Sequence, residues 1–180
     1  MLFRSAVESP APIEIADING VKLSFPAPEK KATLIIFITN DCPVSNGYAP
    51  EINRICDEYS GKAVAVVLAH VDPALGAEAA RKHAADFAFR CPVLIDSRHA
   101  LVALTKATVT PEAAVLTPDG KIAYRGRIDD LYVDYGKKRT APAQRDLREA
   151  LDAVLGGKDV PHATTQAIGC FIPKLKGEEK

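Results

Sequence analysis

With 180 residues, 23 basic and 23 acidic side chains, the chain is long enough to bury a core within one domain, and its balanced charge points away from nucleic acid or anionic surfaces as partners. No apolar run reaches the roughly 20 residues of a membrane span, and the opening Met1-Leu2-Phe3-Arg4-Ser5 lacks the apolar centre of a signal peptide. The cytoplasm is therefore the default location, with export requiring a leader outside this sequence. Four cysteines are too few and too scattered for a disulfide scaffold, and no Cys-x-x-Cys or zinc-type Cys/His spacing occurs.

In chain order, Ile13-Glu14-Ile15 and Val21 to Phe25 alternate around Asn19-Gly20 and read as a small hairpin over 13–25. A Pro/Lys-rich turn at 26–31 leads into Thr33-Leu34-Ile35-Ile36-Phe37-Ile38-Thr39, an apolar, β-branched run that reads as a buried central strand. A helix is expected from Pro43 to Tyr59, with Ile52, Ile55, Cys56 and Tyr59 at helical spacing and Gly61 as its stop. Ala63 to Leu68 is a second buried strand, and Ala77 to Phe89 a second helix. Pro92 to Asp96 is a short strand, followed by a helical turn at 100–105. Ala113–Leu116 and Lys121–Tyr124 flank Pro118-Asp119-Gly120 as an antiparallel hairpin. Lys137-Lys138-Arg139 reads as a solvated loop, and Arg145 to Leu155 as an amphipathic helix stopped by Gly156-Gly157. This order implies an α/β domain over 1–155, with a central mixed sheet flanked by helices. Residues 156–180 form an irregular C-terminal tail carrying Cys170.

The chemistry gathers at Asn40-Asp41-Cys42-Pro43-Val44-Ser45. Pro43 suits the first helical position, with Asp41 as N-cap or Cys42 at the junction. Cys42 then lies beside unpaired backbone N–H groups and the positive end of a helix, which favours thiolate over thiol. The Asp41 carboxylate opposes this by like-charge repulsion unless helix N–H groups take up its charge.

These residues carry a resemblance. The chain resembles thioredoxin-fold proteins of the redoxin branch, shared by peroxiredoxin-like proteins and the thiol–disulfide reductases of cytochrome maturation. Cys42 lies where that family keeps its nucleophile, Pro50 where its helix is kinked, and Thr110-Pro111 where its cis-proline loop faces the cysteine. The resemblance covers roughly residues 20–155 and implies a thiol-dependent oxidoreductase without a cofactor. Its substrate would be a peroxide or a protein disulfide, and a thiol reductant would restore it. Two departures matter. Ser45 stands where a dithiol site has its second cysteine, so the motif cannot resolve a mixed disulfide by itself. Ile36 stands where a peroxiredoxin has a proline.

Two redox readings follow from the resemblance. As a peroxidase, Thr39 would hold the peroxide, with Arg125 or, at the chosen position, Arg127 supplying a guanidinium. As a monothiol exchange centre, Cys42 would be resolved by Cys170, carried on a mobile tail with Gly169 beside it. Ser45, Thr110 and Pro111 would form the substrate-facing wall in either case. Cys56, on a helix's apolar face, and Cys91, before a strand, read as small buried hydrophobes. The rivals are a Sco-like copper site, for which His70, His83, His99 and His162 have no ligand spacing, and a non-enzymatic peptide-binding module built on the cis-proline groove.

Overall fold

The apolar run ending before Cys42 becomes β3 (Ala32–Ile38), the middle strand of the main sheet, and all seven of its residues are buried. Side chains alternate across a pleated strand, so a strand apolar at every position needs cover on both faces. Leu34, Ile36 and Ile38 enter one apolar cluster, while Ile35 and Phe37 enter the other. This computed structural model describes residues 11–177; Met1 to Ser5 and the final 178–180 of the tail lie outside the described residues.

The N-terminal hairpin pairs β1 (Ile13–Ala16) with β2 (Lys22–Phe25). After β3 come α1 (Pro43–Gly47) and α2 (Ala49–Tyr59). The single helix expected over 43–59 is thus interrupted at Tyr48. Pro50 has no N–H to continue the helical bonding, and its ring crowds the preceding turn. Next follow β4 (Val64–His70), α3 (Ala77–Asp86), β5 (Val93–Ile95) and α4 (Ala100–Thr105). A two-residue strand β6 (Val109–Thr110) leads through Pro111 into β7 (Glu112–Leu116), which turns back into β8 (Ile122–Gly126). Tyr132–Asp134 and Lys137–Lys138 form a small hairpin, β9 and β10, where the sequence reads only as loop. The C-terminal helix α5 (Asp146–Leu155) precedes the tail, which contains β11 (Cys170–Phe171).

The main sheet has the order β5-β4-β3-β7-β8, with β3, β4 and β5 parallel and β7 and β8 antiparallel. On one face α2 and α5 cover Leu34, Ile36, Val66 and Leu68. Glu51, buried on α2, binds Arg148 of α5 at 2.8 Å and ties the two helices together. The N-terminal hairpin and α4 cover the opposite face around Phe37, Val67 and Leu94. Because β3 and β4 are parallel, their C-terminal ends lie at the same edge, so Cys42 emerges where the sheet stops.

Cys56 and Cys91 are not two lone buried thiols. They form a disulfide with Cα atoms 5.6 Å apart, fastening α2 to the start of β5 across a sequence separation of 35. Neither local periodicity nor spacing reports a contact over that distance. Closing a loop of this length contributes about 3–4 kcal/mol through the unfolded chain. The double variant Cys56→Ala/Cys91→Ala should therefore show a lower midpoint of urea unfolding; an unchanged midpoint would count against the bridge.

Candidate active site

Cys42 is the N-cap of α1, with Pro43 at the first helical position, and its sulfur accepts the Ser45 N–H at 3.4 Å. Asp41 is exposed and does not take the capping place. The Cys42 thiol is 1% exposed and donates to the Thr110 carbonyl at 3.1 Å. The cap orients the sulfur, and the carbonyl across the fold completes its surroundings. Ser45 lies beneath it, and its Oγ is buried with no hydrogen-bond partner among the described residues.

The facing wall is the loop through Thr110 and Pro111, joined by a cis peptide bond. The Thr110 hydroxyl meets that of Thr39 at 3.2 Å, both residues being buried. Glu112, 4% exposed, aims its carboxylate back at the loop. Its Oε2 accepts the N–H groups of Thr108 at 2.7 Å and Val109 at 3.3 Å, and Oε1 pairs with Arg125 Nε at 3.5 Å. A buried carboxylate needs such donors, and here they hold the wall in place. Glu112 is a positioning residue that no motif in the sequence advertises.

The tail is docked rather than loose. It first runs along β8, where Arg125 N–H donates to the Ala163 carbonyl at 2.9 Å and Thr165 N–H to the Arg125 carbonyl at 3.0 Å. Gly126, at φ +153°, permits this approach, since a Cβ there would collide with Thr165. Further on, β11 pairs antiparallel with β6, placing Cys170 opposite Thr110. Gly169 packs against the Thr110 carbonyl so closely that a Cβ has no room. Cys170 is thereby brought to the same residue whose carbonyl accepts the Cys42 thiol. Burial first, and then the Cys42 contact, push the Cys170 thiol up to about 11; Tyr135 lowers it, and Asp41 adds to the rise.

Tyr132 and Tyr135, on the small hairpin, were not expected at the site. Burial and then the charge of Cys42 raise the Tyr132 hydroxyl, whereas Cys170 is the main influence raising Tyr135. Two tyrosines in a Gly/Lys-rich loop are the one signal in the sequence that could have drawn notice. Arg127 is differently engaged. Its guanidinium binds Asp146 at 2.7 Å and Gln144 at 2.8 Å, because Asp146 is buried and requires a counter-charge. Arg125 is likewise held, donating to the Lys106 carbonyl at 2.6 Å besides its pairing with Glu112.

Below α1, Asn46 begins a polar chain that runs inward from the surface. Its Nδ2 donates to the Asn40 carbonyl at 3.0 Å, leaving Oδ1 to accept from His83 Nε2 at 2.9 Å. His83 Nδ1 must then accept from His70 Nε2, 3.3 Å away, which leaves His70 Nδ1 as a bare lone pair. Burial, then His83, lower the His70 pKa to about 4; burial also lowers that of His83. These histidines contact each other rather than Cys42, and among the described residues no group of three or more His, Cys, Asp or Glu is placed to hold a metal.

Comparison with known proteins agrees with this geometry. A family model described as Redoxin matches residues 7–133. Among solved structures, a hypothetical protein from Sinorhizobium meliloti 1021 is 26% identical with a TM-score of 0.80, over 93% of each chain. An uncharacterized conserved protein from Geobacillus kaustophilus is 27% identical with a TM-score of 0.79, over 94% of this chain and 91% of that one. A putative thiol:disulfide interchange protein DsbE from Chlorobium tepidum shares the fold at 17% identity, with a TM-score of 0.62 over 82% and 95% of the two chains. No curated protein sequence matches the chain.

Two outcomes follow from these ionisations. Iodoacetamide labelling of Cys170, followed by mass spectrometry across pH, should reach half its maximal rate near pH 11, against about 8.5 for a free thiol, and Cys42→Ser should move that midpoint downward. The lowered His70 pKa means that the fold favours neutral imidazole, a contribution fully present above pH 6.5 and lost as pH falls toward about 4. The shift corresponds to about 3 kcal/mol, so the melting temperature should drop over that interval, and His70→Leu should flatten the profile.

Proposed function

Because the chain belongs to the Redoxin family and has a thioredoxin-like fold, we propose that it is a thiol–disulfide oxidoreductase whose working pair is Cys42 and Cys170. The observation that carries this reading is the pairing of Cys170 with Thr110, the same residue whose carbonyl accepts the Cys42 thiol at 3.1 Å. Ser45 cannot resolve a mixed disulfide, and Cys170 supplies the missing sulfur from outside the motif. Cys42 thiolate attacks one sulfur of a substrate disulfide, and the other sulfur leaves as a thiolate. Cys170, deprotonated, then attacks the Cys42 sulfur and expels the remaining substrate thiol. Two protein thiols are oxidised to one disulfide while the substrate disulfide is reduced to two thiols. A thiol reductant returns the pair to its starting state.

Thiol exchange is favoured over peroxide reduction by the engagement of both nearby guanidinium groups. Arg127 serves Asp146, and Arg125 serves Glu112 and a backbone carbonyl. The Thr39 hydroxyl faces Thr110. Ser45, Thr110 and Pro111 serve as the wall against which the substrate lies.

The test gives reduced protein either oxidised glutathione or an equal amount of hydrogen peroxide, with acid quenching and non-reducing peptide mapping. A Cys42–Cys170 linkage should form at least tenfold faster with the disulfide than with the peroxide. Cys42→Ser should abolish it, and Cys170→Ser should leave glutathione attached to Cys42. Faster linkage with peroxide would make the protein a peroxidase, and a Cys42 that reacts with neither would end the redox reading.

A further inference from the structure

We propose that tail residues 168–172 occupy the place of a substrate strand, and that the same groove accepts from a partner protein an extended peptide in which glycine directly precedes the reactive cysteine. This rests on the reading above, in that Cys42 is the thiol the substrate meets. The contact is made in a general currency, the backbone. Cys170 lies opposite Thr110 and Phe171 opposite Val109, and the Ile172 N–H donates to the Thr108 carbonyl at 3.1 Å. Any extended chain can form such a ladder, so the ladder supplies affinity without regard to sequence.

Selectivity comes from Gly169. A Cβ at that position would strike the Thr110 carbonyl oxygen and carbon, which are backbone atoms held by the loop. An occupant that brings its cysteine opposite Thr110 therefore needs a bare α-carbon one residue earlier. After the cysteine the demand is slight. Phe171 is 85% exposed, beside a cavity of about 530 Å³ whose lining includes Val109, Glu112, Arg125 and Tyr135. A side chain at this position therefore meets mostly solvent.

The resident strand is held lightly enough to leave. It is two residues long, Ile172 is its partly buried apolar anchor, and Pro173 ends the ladder because it has no N–H. The firmer attachments, at Ala163 and Thr165, lie upstream, so 168–172 can peel away while that part of the tail stays. Cys42, 1% exposed beneath the strand, meets a protein disulfide only after this release. Attack by Cys42 then places the partner's strand in the vacated ladder. When the tail returns, Cys170 comes to the position that the partner's cysteine held, attacks the Cys42 sulfur and expels the partner's thiol. Resolution and release of the product become one strand replacement.

Alkylation of Cys42 by iodoacetamide reads whether the groove is filled. In full-length protein carrying Cys170→Ser, Cys42 is the remaining free thiol. Adding Gly169→Ala should raise its alkylation rate at least tenfold, as should Ile172→Pro, which removes the donor to Thr108 and the tail's apolar anchor together. A synthetic peptide of residues 166–172 carrying Cys170→Ser should restore slow alkylation to the Gly169→Ala protein. The same peptide with Gly169→Ala should not. Unchanged rates in both variants would overturn the tail's occupancy of the groove, and equal protection by both peptides would overturn the glycine requirement. Protection involves no disulfide chemistry, which separates the two proposals. If the glycine rule holds while no Cys42–Cys170 linkage ever forms, the redox pairing fails and the groove assignment stands. If the linkage forms while neither peptide protects, the groove assignment fails and the pairing stands.

Discussion

The peptide group of Thr110 is the point on which the site depends. Its carbonyl accepts the Cys42 thiol, and its residue pairs with Cys170 across an antiparallel ladder. Its side-chain hydroxyl meets Thr39 at the end of β3. Three stretches distant in sequence are thereby brought to one place: the strand–helix junction, the loop before β7 and the C-terminal tail. The loop is fastened by contacts of its own. Glu112 draws in the N–H groups of Thr108 and Val109, and Arg125 balances the carboxylate. In a buried setting such charge-assisted bonds are stronger than neutral ones, and losing one partner leaves the other uncompensated.

The proposed division of labour between two remote thiols rests on one residue of the motif, Ser45. A cysteine at the Ser45 position would sit on the same helical turn as Cys42 and be always at hand. Cys170 instead arrives from the substrate's side of the site. Its thiol is protonated at neutral pH because burial and the neighbouring sulfur both disfavour charge. In the proposed cycle Cys42 attacks first and the docked Cys170 resolves afterwards.

Rigidity on the opposite side of α1 complements this. The chain Asn40–Asn46–His83–His70 links the first helical turn to α3 and to the end of β4. Both imidazoles are held neutral by burial, so the network carries hydrogen-bond direction without net charge. The Cys56–Cys91 bridge secures the next part of the same helical segment. Movement in the site is left to the tail, whose attachments are mostly backbone hydrogen bonds at the protein's rim.

Elements defined by local pattern were legible in the chain alone. The β3 run, the hairpin around Pro118-Asp119-Gly120 and the start of α1 at Pro43 follow from side-chain period, turn chemistry and the missing N–H of proline. Cys42 was legible for the same reason, since a cysteine between a buried strand and a helix start is a local feature. Its cap is Cys42 itself and not Asp41, a choice that depends on the angle at which the chain leaves β3. What local pattern cannot report is which distant groups meet. Cys56 finds Cys91, Arg127 turns to Asp146, Tyr132 and Tyr135 approach the thiols, and the tail lies down as a strand against Thr110. These pairings are fixed by the stacking of layers and by which buried charges need partners. Period and propensity act over a few residues, whereas the contacts that join Cys170 to Cys42 exist only once the whole sheet has closed around them.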